Sequence, residues 1–297
     1  MTKIMWLIRR EVWENRAIWV IPAIVGTLLI LAALFGDIDL RSAVSLAPPD
    51  QPRVGGALWL FGFGVALFFV MSIYSVWYLL DCLYADRKDR SVLFWRALPV
   101  SDAQTVLSKL MTALFAIPLV AFVAADVVTL GMALAVTLRG ADSATALLWK
   151  SEHWLQLQAL WMYLIATMAL WYLPVAGWLL VVSAWARRSV VLWAVMPILV
   201  PYLIERWFLR THVISTLVTD RLAGFVSHAF HNNADEAFSL TTVIDKGKIP
   251  TLPAARTVWE LIDLEGFLSN PATWIGVVVG IGLLAGVIEL RRRHMDA

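Results

Sequence analysis

Apolar residues fall in six long runs along the chain: Ala17 to Gly36, Ala57 to Leu80, Leu110 to Leu138, Leu157 to Ala186, Ser189 to Ile204 and Ala272 to Ile288. At 1.5 Å per helical residue, most are long enough to cross a hydrocarbon core of about 30 Å. They predict an all-α polytopic membrane protein with six transmembrane helices. The third run carries one charge, Asp126; the fourth contains Pro174, and the short fifth contains Pro197 and Pro201. The sixth has a clear start, with Asn270 as N-cap and Pro271 at the first helical position.

Two segments outside the runs are also patterned. Residues 1–16 carry Ile4, Ile8 and Val12 at helical spacing, with Trp6 and Trp13 seven apart. Glu11 and Asn15 intrude on that stripe. An N-terminal interfacial helix is expected there, or else a straight extension of the first span. Residues 209–271 form an external helical region between spans 5 and 6. One helical pattern there uses Val218, Leu222, Phe225 and Ala229, and another uses Val258, Leu261, Ile262 and Leu268. "DKGKIPTLP" between them reads as a loop.

Composition supports the membrane reading. The 297 residues are 60% hydrophobic and only 15% charged, with a mean hydropathy of +0.74. A soluble domain cannot hide that much apolar surface. The net charge of +2 predicts no nucleic-acid partner. The placement of charge says more. Lys3, Arg9, Arg10, Arg16, Arg87, Lys88, Arg90, Arg96, Lys109, Arg187, Arg188, Arg291, Arg292 and Arg293 all fall at one set of span ends. That side is expected to be cytoplasmic, with both termini. The opening "MTKIMWLIRREVWENR" is too charged for the apolar part of a cleaved signal peptide. The first span is expected to persist in a cell membrane of the bacterial inner-membrane kind.

Candidate chemistry is sparse. No phosphate-binding G-x-x-x-x-G-K-[ST] loop, H-E-x-x-H, G-x-S-x-G or C-x-x-C occurs, so no cofactor or catalytic residue is expected in this chain. The single cysteine, Cys82, reads as a buried residue at a helix end. His228, His231 and Asp235, at i, i+3 and i+7, form either a solvated face or a weak metal site. Asp126 must face the bundle or water, since a charge at mid-bilayer costs at least ~2.5–3.5 kcal/mol otherwise. It either contacts substrate or protons, or makes a structural hydrogen bond to a neighbouring span. Trp171, Trp178 and Trp185 share one stripe, which serves for anchoring and packing or lines a path for an amphipathic substrate. Gly276-x-x-x-Gly280 and Gly282-x-x-x-Gly286 permit close helix approach, within the bundle or in a dimer.

The remaining feature is the loop between spans 2 and 3, residues 82–106. Asp86, Arg87, Lys88, Asp89 and Arg90 are mixed in charge. "SVLFWRAL" follows, with Phe94, Trp95 and Arg96, and Pro99 stops it. Ser101 and Gln104 then form a capping-box pattern that starts the next helix. This order predicts a short helix lying on the membrane surface or on a protein partner, rather than an ordinary charged loop.

With "LIRREVWENR", "ADRKDRSVLFWRALPVSDAQTVLSKL" and "NPATWIGVVVGIGLLAGVIELRRR", the chain resembles the permease subunit of ATP-binding-cassette transporters of the type-2 exporter class. It departs from the commoner Gly-Thr before the apolar stretch, having Arg90-Ser91, and its external region is larger than a minimal member's. The resemblance implies that two such subunits form a pathway as a homodimer or heterodimer. Each would dock through a cytoplasmic coupling helix on a separate ATPase that carries the ATP and Mg. Docking would involve Asp86, Arg87, Lys88, Asp89, Arg90, Phe94, Trp95, Arg96 and Pro99, and the pathway Asp126, Trp171 and Trp178. The chain itself would be no enzyme. An intramembrane enzyme or a membrane assembly factor using Asp126 is the alternative.

Overall fold

A computed structural model describes residues 3–35, 54–88, 100–138, 151–209, 211–231 and 258–296. These are helical throughout, with no strand among them beyond one isolated antiparallel bridge, Phe230 to Ile262.

The elements are α1 (Lys3–Glu14), α2 (Ala17–Phe35), α3 (Val54–Lys88), α4 (Asp102–Met111), α5 (Ile117–Leu138), α6 (Ser151–Trp171), α7 (Leu173–Trp185), α8 (Val190–Ile204), α9 (Val213–Ala223), α10 (Phe225–Ala229), α11 (Leu264–Ser269) and α12 (Pro271–Asp296). A π-turn, Thr112–Ala116, joins α4 to α5, and a second, Glu205–Leu209, extends α8.

Four stretches are long and apolar enough to cross a membrane: Gly64–Lys88, Asp102–Ala135, Val190–Phe208 and Pro271–Arg293. Two bent pairs bring the number to six if each pair is one span. One pair is α1 with α2, at 54°. The sequence left open an interfacial helix or a straight extension; the bend at Asn15 and Arg16 excludes the straight one. The other pair is α6 with α7, at 55°. The fourth apolar run is thus not one straight helix. Its break falls at Tyr172, φ −88° and ψ 4°, two residues ahead of Pro174, whose ring nitrogen has no hydrogen to donate to the helix ladder.

Span boundaries move outward at the basic end. The second helix continues to Lys88 rather than ending near Leu80, and the third begins at Asp102 rather than Leu110. The loop between them is correspondingly shorter than residues 82–106. Ser101 caps α4 as its pattern predicts: the Gln104 amide donates to Ser101 Oγ at 3.2 Å, and the Ser101 amide donates to Gln104 Oε1 at 3.1 Å. Asn270 caps α12, its Oδ1 accepting from the Ala272 amide at 2.9 Å.

The helices pack in a row. α2 and α3 pack on α5, and α7 lies between α3 and α12. The α7–α12 contact is close because a Cβ on Gly280 would meet Leu173 and the Pro174 nitrogen at 2.8 and 3.1 Å. α8 sits at the edge, with only 11% of its apolar stretch buried. A continuous apolar core runs through the row, including Leu67, Met71, Ile117, Leu160, Trp171 and Leu180.

Residues 211–231 and 258–269 pack on α6 and the start of α12, away from the basic residues, with Tyr163 Oη donating to the Ala229 carbonyl. The first sequence pattern there is two helices, α9 and α10, split at Gly224; the second is a 3-10 turn, Val258–Leu261, followed by α11. The "DKGKIPTLP" segment lies outside the described residues. α9 lacks a cap from its own His212. Instead the buried Glu205 carboxylate accepts from the Ile214 and Ser215 amides, at 2.8 and 3.1 Å.

Candidate functional site: an ion cluster at the basic end

Four helices converge where α3 ends and α4 begins. On α1, the apolar residues turned inward are Ile4, Leu7, Ile8 and Val12, each part-buried, and Glu11 is buried among them. Glu11 is therefore the most buried position of that helix rather than an intruder on its apolar face. Its carboxylate receives two groups. Tyr78 Oη on α3 donates to Oε2 at 2.8 Å, and Lys109 Nζ on α4 donates to Oε1 at 3.0 Å.

Lys109 also holds Asp86, with Nζ 3.3 Å from Oδ2. Its side chain is only 5% exposed. Arg291, near the end of α12, completes the cluster, its Nε 3.3 Å from Asp102 Oδ1 and its Nη1 3.9 Å from Asp86 Oδ2. Breaking a buried pair by removing one partner leaves an uncompensated charge, which costs far more than the pair contributes when intact. The cluster thus works as a geometric lock joining α1, α3, α4 and α12.

A second tie joins α3 to α7. Arg87 Nη2 donates to the carbonyls of Ser183 and Ala186, at 2.6 and 2.8 Å. Those carbonyls belong to the last turn of α7, which favours a cation. In the same contact Ser183 Oγ accepts from the Leu83 and Tyr84 amides. Ser75 fastens the π-turn by donating to the Ala113 carbonyl at 2.9 Å. That contact lies just beyond Lys109 on the same continuous helix.

Of the proposed docking residues, Asp86 and Arg87 are committed to these internal contacts. Lys88 is exposed. Asp89, Arg90, Phe94, Trp95, Arg96 and Pro99 lie outside the described residues. Glu11, Tyr78, Asp102, Lys109, Ser183 and Arg291 were not singled out from sequence as site residues. Two signals were available: a carboxylate on the inner stripe of α1, and a lysine on the apolar face of α4.

The pathway candidates stand apart from the cluster. Asp126 lies 17 residues beyond Lys109 on the same helical rod, about 25 Å away. It accepts from Gln158 Nε2 on α6 at 2.9 Å. Trp178 donates to the Ala194 carbonyl at 3.2 Å and so holds α8 to α7. Trp171 has no exposed surface. Its Nε1 donates to the Arg221 carbonyl at 3.0 Å, the Arg221 guanidinium stacks over its ring at 4.5 Å, and His228 lies 4.9 Å from it on ring centroids. Burial pushes the Arg221 guanidinium down from the usual arginine value. It also donates to the Ala272 carbonyl, lying where a Cβ on Gly276 would be. Trp171 therefore seats α9 at the bend between α6 and α7.

The histidine set is partitioned. His228 accepts from the Asn270 amide and so donates through Nε2 to Asp220, at 2.9 Å. His231 approaches Asp263 at 3.7 Å, and Asp235 lies outside the described residues. Gly276 and Gly280 face neighbours within the bundle, while Gly282 and Gly286 face open space.

Beside the ion cluster is a cavity of about 560 Å³ between α1, the last turns of α3 and the start of α8. Comparison of the chain with family models, with curated proteins and with solved structures gives no match.

Proposed function

We propose that this chain is the membrane-spanning subunit of an ATP-driven exporter of the type-2 class, coupled to a separate cytoplasmic ATPase through the segment between α3 and α4. The observation that carries the reading is the Lys109 cluster. Asp86 and Lys109 lie close to the two helix ends that bracket residues 89–99, and both are bonded to each other within a buried set that includes Glu11 and Arg291. A displacement of that segment by a partner would therefore move α1, α3, α4 and α12 together. Through Arg87 it would also move α7. An ordinary surface loop has no reason to be framed by buried charge pairs, given their desolvation cost.

A coupling device of this kind needs an energy source elsewhere, and the chain carries no phosphate-binding loop. A second permease copy is part of the reading. α8, the least covered span, presents apolar surface that lipid or that copy would cover.

The test is recovery of the complex from native membranes. An ATPase bearing a phosphate loop is expected to co-purify with the chain. The double variant Lys88→Glu, Arg90→Glu is expected to lose it while remaining folded in the membrane. Arg87 is unsuitable for this test, because reversing it breaks the tie to α7. Undiminished co-purification of the double variant sinks the docking role of those side chains.

A further inference from the structure

The cavity beside the ion cluster has a graded lining. Tyr74, Trp77, Asp81 and Tyr84 stand at i, i+3, i+7 and i+10 on α3, and so share one face of that helix. From Tyr74 to Tyr84 they span about 15 Å along the axis. The end nearer the bilayer interior is aromatic. The end nearer the basic surface is acidic.

Most of that acid is already neutralised. Lys109 serves Glu11 and Asp86, and Arg10 Nε lies 2.5 Å from Glu14 Oε1. Asp81 is different: it has no hydrogen-bond or ion-pair partner among the described residues. Asp81 is itself exposed at the mouth of the cavity, so its charge stands free for a cation that enters there. Here it has aromatic rings one turn away on each side, the combination that recognises ammonium groups. The mouth of the cavity also has a direction. Trp77 is 57% exposed, and it adjoins Ile73 and Val76 on the outer surface of α3, which faces lipid in a span. A ligand seated at Asp81 can leave an alkyl chain in the hydrocarbon.

We infer that this cavity binds the ammonium head of a cationic amphiphile, with Asp81 as its counter-charge and Tyr74, Trp77 and Tyr84 around it. The site belongs to this chain alone and holds whether or not an ATPase docks on residues 86–102. A small soluble cation does not use the lipid-facing mouth. An anionic amphiphile meets Asp81 with like charge.

The test uses the full chain in nanodiscs of a neutral glycosyl diacylglycerol, which carries no ammonium group, with bromododecyltrimethylammonium as probe and bromododecyl sulfate as control. The bromine quenches nearby tryptophan. The ammonium probe is expected to produce a saturable quenching component that Trp77→Phe removes. Asp81→Asn is expected to shift its midpoint roughly tenfold to higher probe, about 1.4 kcal/mol. The sulfate control is expected to lack the component. Replacing part of that lipid with phosphatidylcholine separates two sources of the same trimethylammonium head: competition marks a resident lipid, and its absence a free amphiphile. Either supports an ammonium site. Equal curves for the ammonium and sulfate probes on the unmodified chain would overturn the proposal without recourse to any variant. So would a midpoint unchanged in a folded Asp81→Asn protein.

Discussion

Lys109 Nζ lies 3.0 Å from Glu11 Oε1, across 98 residues of chain, and both side chains are less than a tenth exposed. The same ammonium holds Asp86. Lys109→Met therefore leaves Glu11 with only the Tyr78 hydroxyl and Asp86 with only the more distant Arg291, and it should cost about 3–5 kcal/mol. Glu11→Gln should cost less. The amide oxygen can still accept from Tyr78, and Lys109 retains Asp86. Thermal unfolding of the purified chain checks both. Equal melting temperatures for Lys109→Met and the unmodified protein would remove the cluster from any account of how these helices are joined.

Arg87 and Lys88 are adjacent cations with opposite tasks. Arg87 donates to two carbonyls at the end of α7, while Lys88 is exposed. Arg87→Ala should lower stability by about 1.5–3 kcal/mol, the range for hydrogen bonds to charged groups. Lys88→Ala should leave it within about 0.5 kcal/mol. The same unfolding measurement decides, and a comparable loss for both would mean that Lys88 has an internal partner.

What was legible in the sequence follows from the range of each interaction. The Ser101–Gln104 box and the Asn270 cap are bonds between residues three or fewer apart, so their residue types reveal them. The all-helical apolar runs are legible for a similar reason, because backbone in hydrocarbon must satisfy its own hydrogen bonds. The ion cluster was not legible. Its bonded pairs are 23 to 205 residues apart, and each charge alone reads as an interfacial one. The bend at Tyr172 shows a smaller failure. Pro174 announces a break, but the residue that leaves the helical region precedes it by two. Asp81 falls between the apolar run that ends at Leu80 and the loop that begins at residue 82, so the sequence pattern attaches no role to it.

Asp126 is bound to Gln158 through an oxygen that an amide also possesses. Asp126→Asn should therefore preserve the α5–α6 tie and change stability by less than about 0.5 kcal/mol. Asp126→Leu removes the acceptor and should cost about 1 kcal/mol, the scale of such bonds between membrane helices. If Asn destabilises as much as Leu, the carboxylate charge itself has a partner in the folded state, and Asp126 acts as more than a hydrogen-bond acceptor for Gln158.

Gly280 and Gly282 are two residues apart on α12 and face different surroundings. A Cβ at Gly280 would lie 2.8 Å from Leu173 Cγ and 3.1 Å from both the Leu173 carbonyl carbon and the Pro174 nitrogen. Backbone held at the bend between α6 and α7 cannot move aside as a side-chain tip can. Gly280→Ala should cost about 1–3 kcal/mol by overpacking. A Cβ at Gly282 meets nothing within 4 Å, so Gly282→Ala should cost nothing in the single chain. The pair also reports on assembly. Should Gly282→Ala leave unfolding unchanged but weaken association of two copies in crosslinking or light scattering, the open Gly282–Gly286 face meets the second copy. Loss of stability in a strictly monomeric preparation would instead show that a neighbour within the chain covers it.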